Sequence, residues 1–342
     1  MFKKVLSMFA VVVALIAVFA VTARAVSYWE EDFSSFDPAT DFASMSATST
    51  DYSRVVDGEA LKIANEAVSG DVNQSLSFTL NSDAGDDVVF QYDIKFTQIG
   101  GTYTSCINVG GESNKRSVTK MTNSYTSYGE DEAGKIVESI ETDKWYTYVY
   151  QFKKGSDGAI NGLDIFRKLT SASGQPAQIA SLTAEQITGT SENFTYDICV
   201  GAGVTVYLDK ISCYSGNSVN AQFKLGDVVL EDTGDLASGT IKIEAEIVCG
   251  ELSFDTETPK KIKLRKINPV YVAFDSEGRM VACKTLTAAQ VYYGKYNKTY
   301  TLNDATAKGA LAKDGYLGFY VLEDPLNRFR AFASPVELTA AE

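Results

Sequence analysis

Residues 204–214 read VTVYLDKISCY, from Val204 to Tyr214. This run reads as the closing strand of a large N-terminal β-sandwich. The turn-like Ser215-Gly216-Asn217-Ser218 follows it. Beyond that turn the chain reads as a second, smaller β domain. Everything between the N-terminal leader and this strand therefore belongs to the first sandwich.

The leader has three parts. Lys3 and Lys4 make a positive start, Val5–Ala20 is apolar apart from Ser7, and Ala23 and Ala25 supply small residues at a cleavage site. This pattern is that of a secretory signal peptide occupying 1–25, cut after Ala25. An uncleaved anchor is the alternative, but the apolar run is at the short end for crossing about 30 Å of hydrocarbon. No later stretch is apolar enough to span a membrane. The expected location is extracellular, free or at the cell surface.

The 342-residue chain is longer than one ordinary core requires, which suggests two domains. Its formal net charge of −13 makes nucleic acid a poor partner, because phosphate backbones would be repelled. The chain has no histidine. That removes Ser-His-Asp and Cys-His catalysis, His-metal sites and imidazole bases. Carboxylates, Tyr, Lys, Arg and oxygen-ligated metals are what chemistry is left. The five cysteines are Cys106, Cys199, Cys213, Cys249 and Cys283. Export would permit disulfides, and Cys199–Cys213 or Cys249–Cys283 are possible pairs; all five as buried small apolar residues is the other reading.

Short runs of alternating apolar and polar residues, broken by Gly, Asn, Asp and Ser clusters, mark an all-β chain. Its 19 Tyr and 18 Phe suit pleated surfaces. Strands are expected over Tyr28–Phe36, Arg54–Ile63 with a turn at Asp57-Gly58, Gln74–Leu80, Asp87–Phe96, Tyr103–Val109, Lys144–Lys153, Gly162–Arg167 and Phe194–Val200. Gly110–Lys135 reads as polar and irregular, and Leu182–Thr188 as the best short helical candidate. In Lys144–Lys153 alternation puts Tyr146, Tyr148, Tyr150 and Phe152 on one face and Trp145, Thr147 and Val149 on the other. The second block shows strands at Ser238–Val248, Val270–Phe274, Arg279–Lys284 and Gly315–Val321, with a turn at Asp275–Gly278.

The ordered segments DFSSF, VVDGEALKI, VVFQYDIKF, DKWYTYVYQF and VYLDKISCY resemble the laminin G-like or concanavalin A-like jelly rolls of secreted bacterial proteins. The resemblance covers 27–215. VYVAFDSEGRMVACKTL and GYLGFYVLEDPLNRFRAFASP are similar to the closing segments of secreted clostridial-type proteins, in immunoglobulin-like or fibronectin type III-like accessory domains. That resemblance falls within 218–342. The implied fold is all-β: an N-terminal jelly-roll β-sandwich and a smaller C-terminal immunoglobulin-like β-sandwich, after a helical signal peptide.

The implied function is recognition of a polysaccharide or glycan by the jelly roll, without catalysis, with the second domain as spacer. A structural or adhesive surface protein that binds other proteins is the alternative. A polysaccharide hydrolase or lyase working without His is a further one. Against catalysis, the chain lacks the Glu-x-Asp-x-x-Glu strand of jelly-roll glycoside hydrolases. Glu244 and Glu246 share a strand face, but in the second domain, where a solvated sheet face is expected.

Sugar binding needs aromatic faces and planar polar groups. The candidates are Tyr103, Asn108, Arg116, Tyr125, Tyr128 and Trp145, with the polar segment around Tyr125 and Tyr128 as the expected binding loop. The resemblance also implies a structural calcium shared between the entry strand and the terminal strand. Glu31, Asp32 and Asp209 are the hard oxygen ligands in the matching places; three unrelated surface acids is the other reading. Lys210 stands where the pattern has an acid, and alternation would turn it to the face opposite Asp209.

Overall fold

In a computed structural model of the chain, the described residues are 27–79, 87–100, 102–109, 116–122, 125–128, 140–183, 193–231, 240–250, 252, 254, 261–291, 293–302, 315–323, 330–333 and 335–339. The signal-peptide segment 1–25 lies outside them. Every helix or strand among them is a strand, and none is a helix long and apolar enough to cross a membrane. The chain divides into two compact units. One is Ala25–Gly216 with Gly250–Lys263; the other is Asn217–Cys249 with Leu264–Glu342.

The first unit runs β1 (Ser27–Glu31), β2 (Ser44–Ala47), β3 (Tyr52–Asp57), β4 (Ala60–Asn65), β5 (Asp71–Thr79), β6 (Val88–Ile99), β7 (Thr102–Val109), β8 (Arg116–Thr122), β9 (Tyr125–Tyr128), β10 (Trp145–Lys154), β11 (Ile160–Leu169), β12 (Ala177–Thr183), β13 (Asn193–Gly201) and β14 (Val204–Ser215). Eight strands form one antiparallel sheet in the order β12-β11-β10-β6-β14-β4-β3, with β1 against β14; six form the other, β2-β5-β13-β7-β8-β9. The chain switches sheets repeatedly, as in a jelly-roll sandwich. The 204–214 stretch is thus a central strand, flanked by β6 and β4 and extended by β1.

The core is aromatic because many inward positions of β6 and β10 are Phe and Tyr. Phe90, Tyr92, Tyr148, Tyr150 and Phe152 of one sheet meet Leu76, Phe78, Tyr196 and Ile198 of the other. The hydroxyls of Tyr92 and Tyr150 are 2.9 Å apart, which satisfies polar tips that burial would otherwise penalise. At one edge Arg54 of β3 laces the sheets together: its guanidinium donates to Gln74 Oε1 and to the carbonyls of Ser46 and Asn73.

Three expectations change here. The segment expected to be irregular contains β8 and β9, so Tyr125 and Tyr128 lie on a strand paired with β8. Leu182 and Thr183 end β12, the last strand of the larger sheet; 184–188 lie outside the described residues. The segment Gly250–Lys263, placed by sequence in the second domain, groups with the first unit. Phe254 stacks on Phe166 of β11 with ring centroids 5.4 Å apart, Lys261 bridges Ala177, and the Gly250 N–H donates to the Gly216 carbonyl at 2.8 Å.

The second unit runs β15 (Asn217–Leu225), β16 (Val228–Val229), β17 (Ile241–Cys249), β18 (Arg265–Phe274), β19 (Met280–Thr285), β20 (Ala289–Val291), β21 (Gly294–Leu302), β22 (Tyr316–Glu323), β23 (Arg330–Ala331) and β24 (Val336–Leu338). One sheet is β16-β15-β17-β21; the other is β19-β18-β22-β23, with β20 on β18 and β24 on β22. Phe223, Ile243, Ile247 and Tyr300 of the first pack against Ile267, Tyr271, Phe319 and Val321 of the second. In the Asp275–Gly278 turn, the Asp275 carboxylate accepts the N–H groups of Glu277 and Arg279, and Gly278 takes the left-handed conformation that the turn requires.

Neither proposed disulfide forms. Cys199 and Cys213 are thiols on different sheets of the first sandwich, and Cys213 points into its core. In the second unit Cys249 is a core thiol that accepts a hydrogen bond from Arg265, whereas Cys283 is exposed on β19. Cys106 lies on β7, where only the backbone is described.

Candidate functional site

The outward face of the eight-stranded sheet divides into two halves. Towards the Gly216 end of β14, Val149, Phe166, Val89, Gln151 and Tyr214 are buried although they point away from the core, and Phe254 lies on Phe166. Towards the Val204 end the face carries half-buried charged and aromatic side chains. A β-bulge between Asp209 and Ser212 separates the halves.

Cross-strand register assembles the second half. Trp145 of β10 lies opposite Lys95 of β6, Lys95 opposite Tyr207 of β14, Tyr207 opposite Lys62 of β4, and Lys62 opposite Val55 of β3. At about 4.8 Å per strand this row is about 19 Å long. The Lys95 ammonium sits 5.1 Å from the Trp145 ring centroid and 4.3 Å from that of Tyr207; Lys62 sits 5.8 Å from Tyr207 on its other side. Such contacts hold the rings and cations in register. The Tyr207 hydroxyl donates to Asp57 at 3.4 Å.

The adjacent row is polar. It runs Lys168, Thr147, Asp93, Asp209 across β11, β10, β6 and β14. Asp93 and Asp209 are direct cross-strand partners, so two carboxylates share one patch of sheet. Desolvation raises the Asp93 carboxyl above its ordinary range; the hydrogen-bonding Thr147 hydroxyl opposes this, and the Asp209 charge adds to it. One Asp93 oxygen has no hydrogen-bond partner among the described residues. Desolvation also raises Asp209, with Glu59 adding repulsion, while the Lys210 N–H and ammonium counteract.

The predicted site residues do not all come together. Trp145 stands on this row. Tyr103 and Asn108 lie on β7, Arg116 on β8, and Tyr125 and Tyr128 on β9, all in the six-stranded sheet, where side-chain positions lie outside the described residues.

The predicted metal ligands behave differently from one another. Glu31 accepts the Phe33 N–H at 2.7 Å, and burial raises its carboxyl. Asp32 accepts the Ser34 N–H at 2.9 Å, and its hydrogen bonds to Ser34 lower its carboxyl. Both carboxylates are thus turned onto their own loop, where Phe33 has a positive φ. Among the described residues no group of three carboxylates or thiols is arranged to hold a metal. The parity argument about Lys210 also fails. Its φ of 40° lies in the bulge, which breaks strand alternation, and its ammonium pairs with Glu30 at 3.3 Å.

Lys95, Lys62, Tyr207 and Asp93 were missed at the sequence level. Alternation in DVVFQYDIKF and VTVYLDKISCY is a signal for their outward orientation, but only register shows that they meet.

In the second unit, Glu244 pairs with Lys224 at 2.5 Å and Glu246 with Lys295 at 3.6 Å, on the outward side of the four-stranded sheet. A cavity of about 640 Å³ lies along the same strands, lined by Ala221, Ala245, Lys298 and Val336 among others, none of them aromatic. It lacks the ring platforms that the first unit's row provides.

No family model matches the chain, and no curated protein matches it. Among solved structures it is similar to lectin II from Ulex europaeus, with 8% identity and a TM-score of 0.36 over 55% of this chain and 97% of that one. It is also similar to the exoplasmic/lumenal domain of VIP36 in a Ca2+/Man-bound form, with 10% identity and a TM-score of 0.32 over 49% and 82%. A third similarity is to the β-glucuronidase of Bacteroides uniformis, with 9% identity and a TM-score of 0.27 over 93% of this chain and 32% of that one.

Proposed function

We propose that this chain is an exported, non-catalytic glycan-binding protein whose first sandwich holds a polysaccharide along the row Trp145–Lys95–Tyr207–Lys62. The observation that carries the reading is that row. Its two aromatic rings are half-buried yet outside the core, on a rigid sheet face, beside amphipathic and acidic hydrogen-bonding groups. Sugar C–H faces stack on rings, and hydroxyls take up carboxylates and ammonium groups as partners. The leader pattern at 1–25 supports export. The test is affinity electrophoresis and calorimetry of the purified chain against a panel of soluble polysaccharides. Trp145→Ala and Tyr207→Ala should each weaken binding about tenfold, equivalent to about 1.4 kcal/mol. Binding that is absent from the whole panel, or unchanged in both variants, would overturn the reading.

One observation favours a second reading. Asp93 and Asp209 are cross-strand carboxylates with raised carboxyls beside the row, and glycoside hydrolysis uses two carboxyl groups flanking the scissile bond. Release of reducing ends from a bound polysaccharide, abolished in Asp93→Asn and Asp209→Asn, would support a hydrolase; intact polymer after prolonged incubation would support binding alone.

A further inference from the structure

The row that the proposed glycan would lie on is not electrically neutral. Lys62 and Lys95 flank the Tyr207 ring, and among the described residues neither makes an ion pair or hydrogen bond; their contacts are with the Tyr207 and Trp145 rings. Two unneutralised ammonium groups on one sheet face stand out in a chain of net charge −13. By contrast, Lys153 pairs with Asp164, Lys224 with Glu244 and Lys295 with Glu246. A cation held over a ring keeps donors free for a further partner, because the ring engages one face of the ammonium and accepts no conventional hydrogen bond.

We infer that the ligand of this row is an acidic polysaccharide whose charge is a uronate carboxylate, with the sugar chain lying along the Trp145–Tyr207 row and its carboxylate met by Lys62 or Lys95. The inference rests on the glycan reading above and deepens it. The two half-buried ammonium groups flank the Tyr207 ring, 5.8 and 4.3 Å from its centroid, so the carboxylate of a sugar laid along the row can reach either.

Charge balance favours a uronate over a sulfated polymer. The row is bordered by Asp57, Asp93 and Asp209, the first bonded to Tyr207 itself. These acids would repel a chain carrying several negative charges per sugar, while one carboxylate per stacked sugar is offset by the adjacent lysine.

The experiment compares the full chain on hyaluronan and polygalacturonate with the carboxyl-reduced, uncharged form of each, and with heparin. Binding should be at least tenfold tighter to a uronate polymer than to its reduced form, and added salt should weaken it. Lys62→Gln/Lys95→Gln should remove that preference, Lys62→Arg/Lys95→Arg should keep it, and Trp145→Ala should weaken binding to charged and reduced forms alike. Equal affinity for charged and reduced polymers, or heparin binding tighter than either uronate polymer, overturns the uronate assignment while leaving glycan binding standing. Absence of binding to every polysaccharide, neutral ones included, overturns both.

Discussion

Phe254 ties a segment that is distant in sequence to the outward face of the first sandwich, and Phe254→Ala tests how firmly. Phe166 beneath it is fully buried, and the two rings are nearly parallel, at 11°, with centroids 5.4 Å apart. Truncating a fully buried Phe to Ala costs about 3–5 kcal/mol. Phe254 is itself only half-buried, which brings the burial loss to about half of that. The lost ring pair adds about 0.5–1.5 kcal/mol. Phe254→Ala should therefore destabilise the first sandwich by about 2–4 kcal/mol, a fall of about 4–16 °C in Tm for a unit of about 200 residues. Phe254→Leu keeps most of the apolar area and loses only the stack, so it should cost about 1 kcal/mol. Both tryptophans, Trp29 and Trp145, lie in the first unit, so urea unfolding followed by tryptophan fluorescence reports that unit alone. If Phe254→Ala unfolds within about 0.5 kcal/mol of the parent, the surface-substitution range, then the segment is not held by this contact and the reasoning fails.

Three other perturbations have definite outcomes. A Cβ on Gly250 would clash with the Gly216 carbonyl oxygen and fall 2.9 Å from its nitrogen, both backbone atoms. Gly250→Ala should thus cost about 2–4 kcal/mol through overpacking and a lost hydrogen bond, whereas Gly278→Ala, which meets nothing within 4 Å, should cost only the left-handed strain of about 1–2 kcal/mol; equal losses in thermal melts would contradict this. In the second unit the buried Arg265 guanidinium pairs with Glu323 and lies over Phe332. Glu323→Leu should lose about 3–5 kcal/mol in calorimetry, and the double change Arg265→Met/Glu323→Leu should recover most of it, because the single change deprives a buried charge of its carboxylate while the double change removes the charge as well. Asp93 has a raised carboxyl, so its protonated form is favoured in the folded state. Its contribution to stability is full below the unfolded value of about 3.9 and is lost as pH rises through the folded one. Asp93→Asn should flatten urea midpoints across that window and raise stability at neutral pH; a variant with the parent's pH profile would refute the desolvation of Asp93.

The site was legible in part. Trp145 could be placed on the face opposite Tyr146, Tyr148 and Tyr150 from alternation alone, because a strand has a period of two wherever it is regular. The directions of the carboxylates expected to share a calcium were not legible. Residue type and order suggested Glu31, Asp32 and Asp209, but carboxylate direction depends on local backbone N–H groups, and those of Phe33 and Ser34 capture Glu31 and Asp32. The bulge at Asp209 was equally invisible, since nothing in VTVYLDKISCY marks where alternation breaks except Lys210, which is neither Gly nor Asn.

Periodicity and composition are local properties, and they determined the all-β class, the outward and inward sets of regular strands, the turns at Asp57-Gly58 and Asp275–Gly278, and the exclusion of imidazole chemistry. Register and cover are non-local. That Lys95 stands between Trp145 and Tyr207, that 204–215 is a central strand, and that Phe254 returns to stack on Phe166 of the outward face were decided only by tertiary structure. These contacts join residues far apart in the chain, and a strand's own sequence carries its period without naming its neighbours.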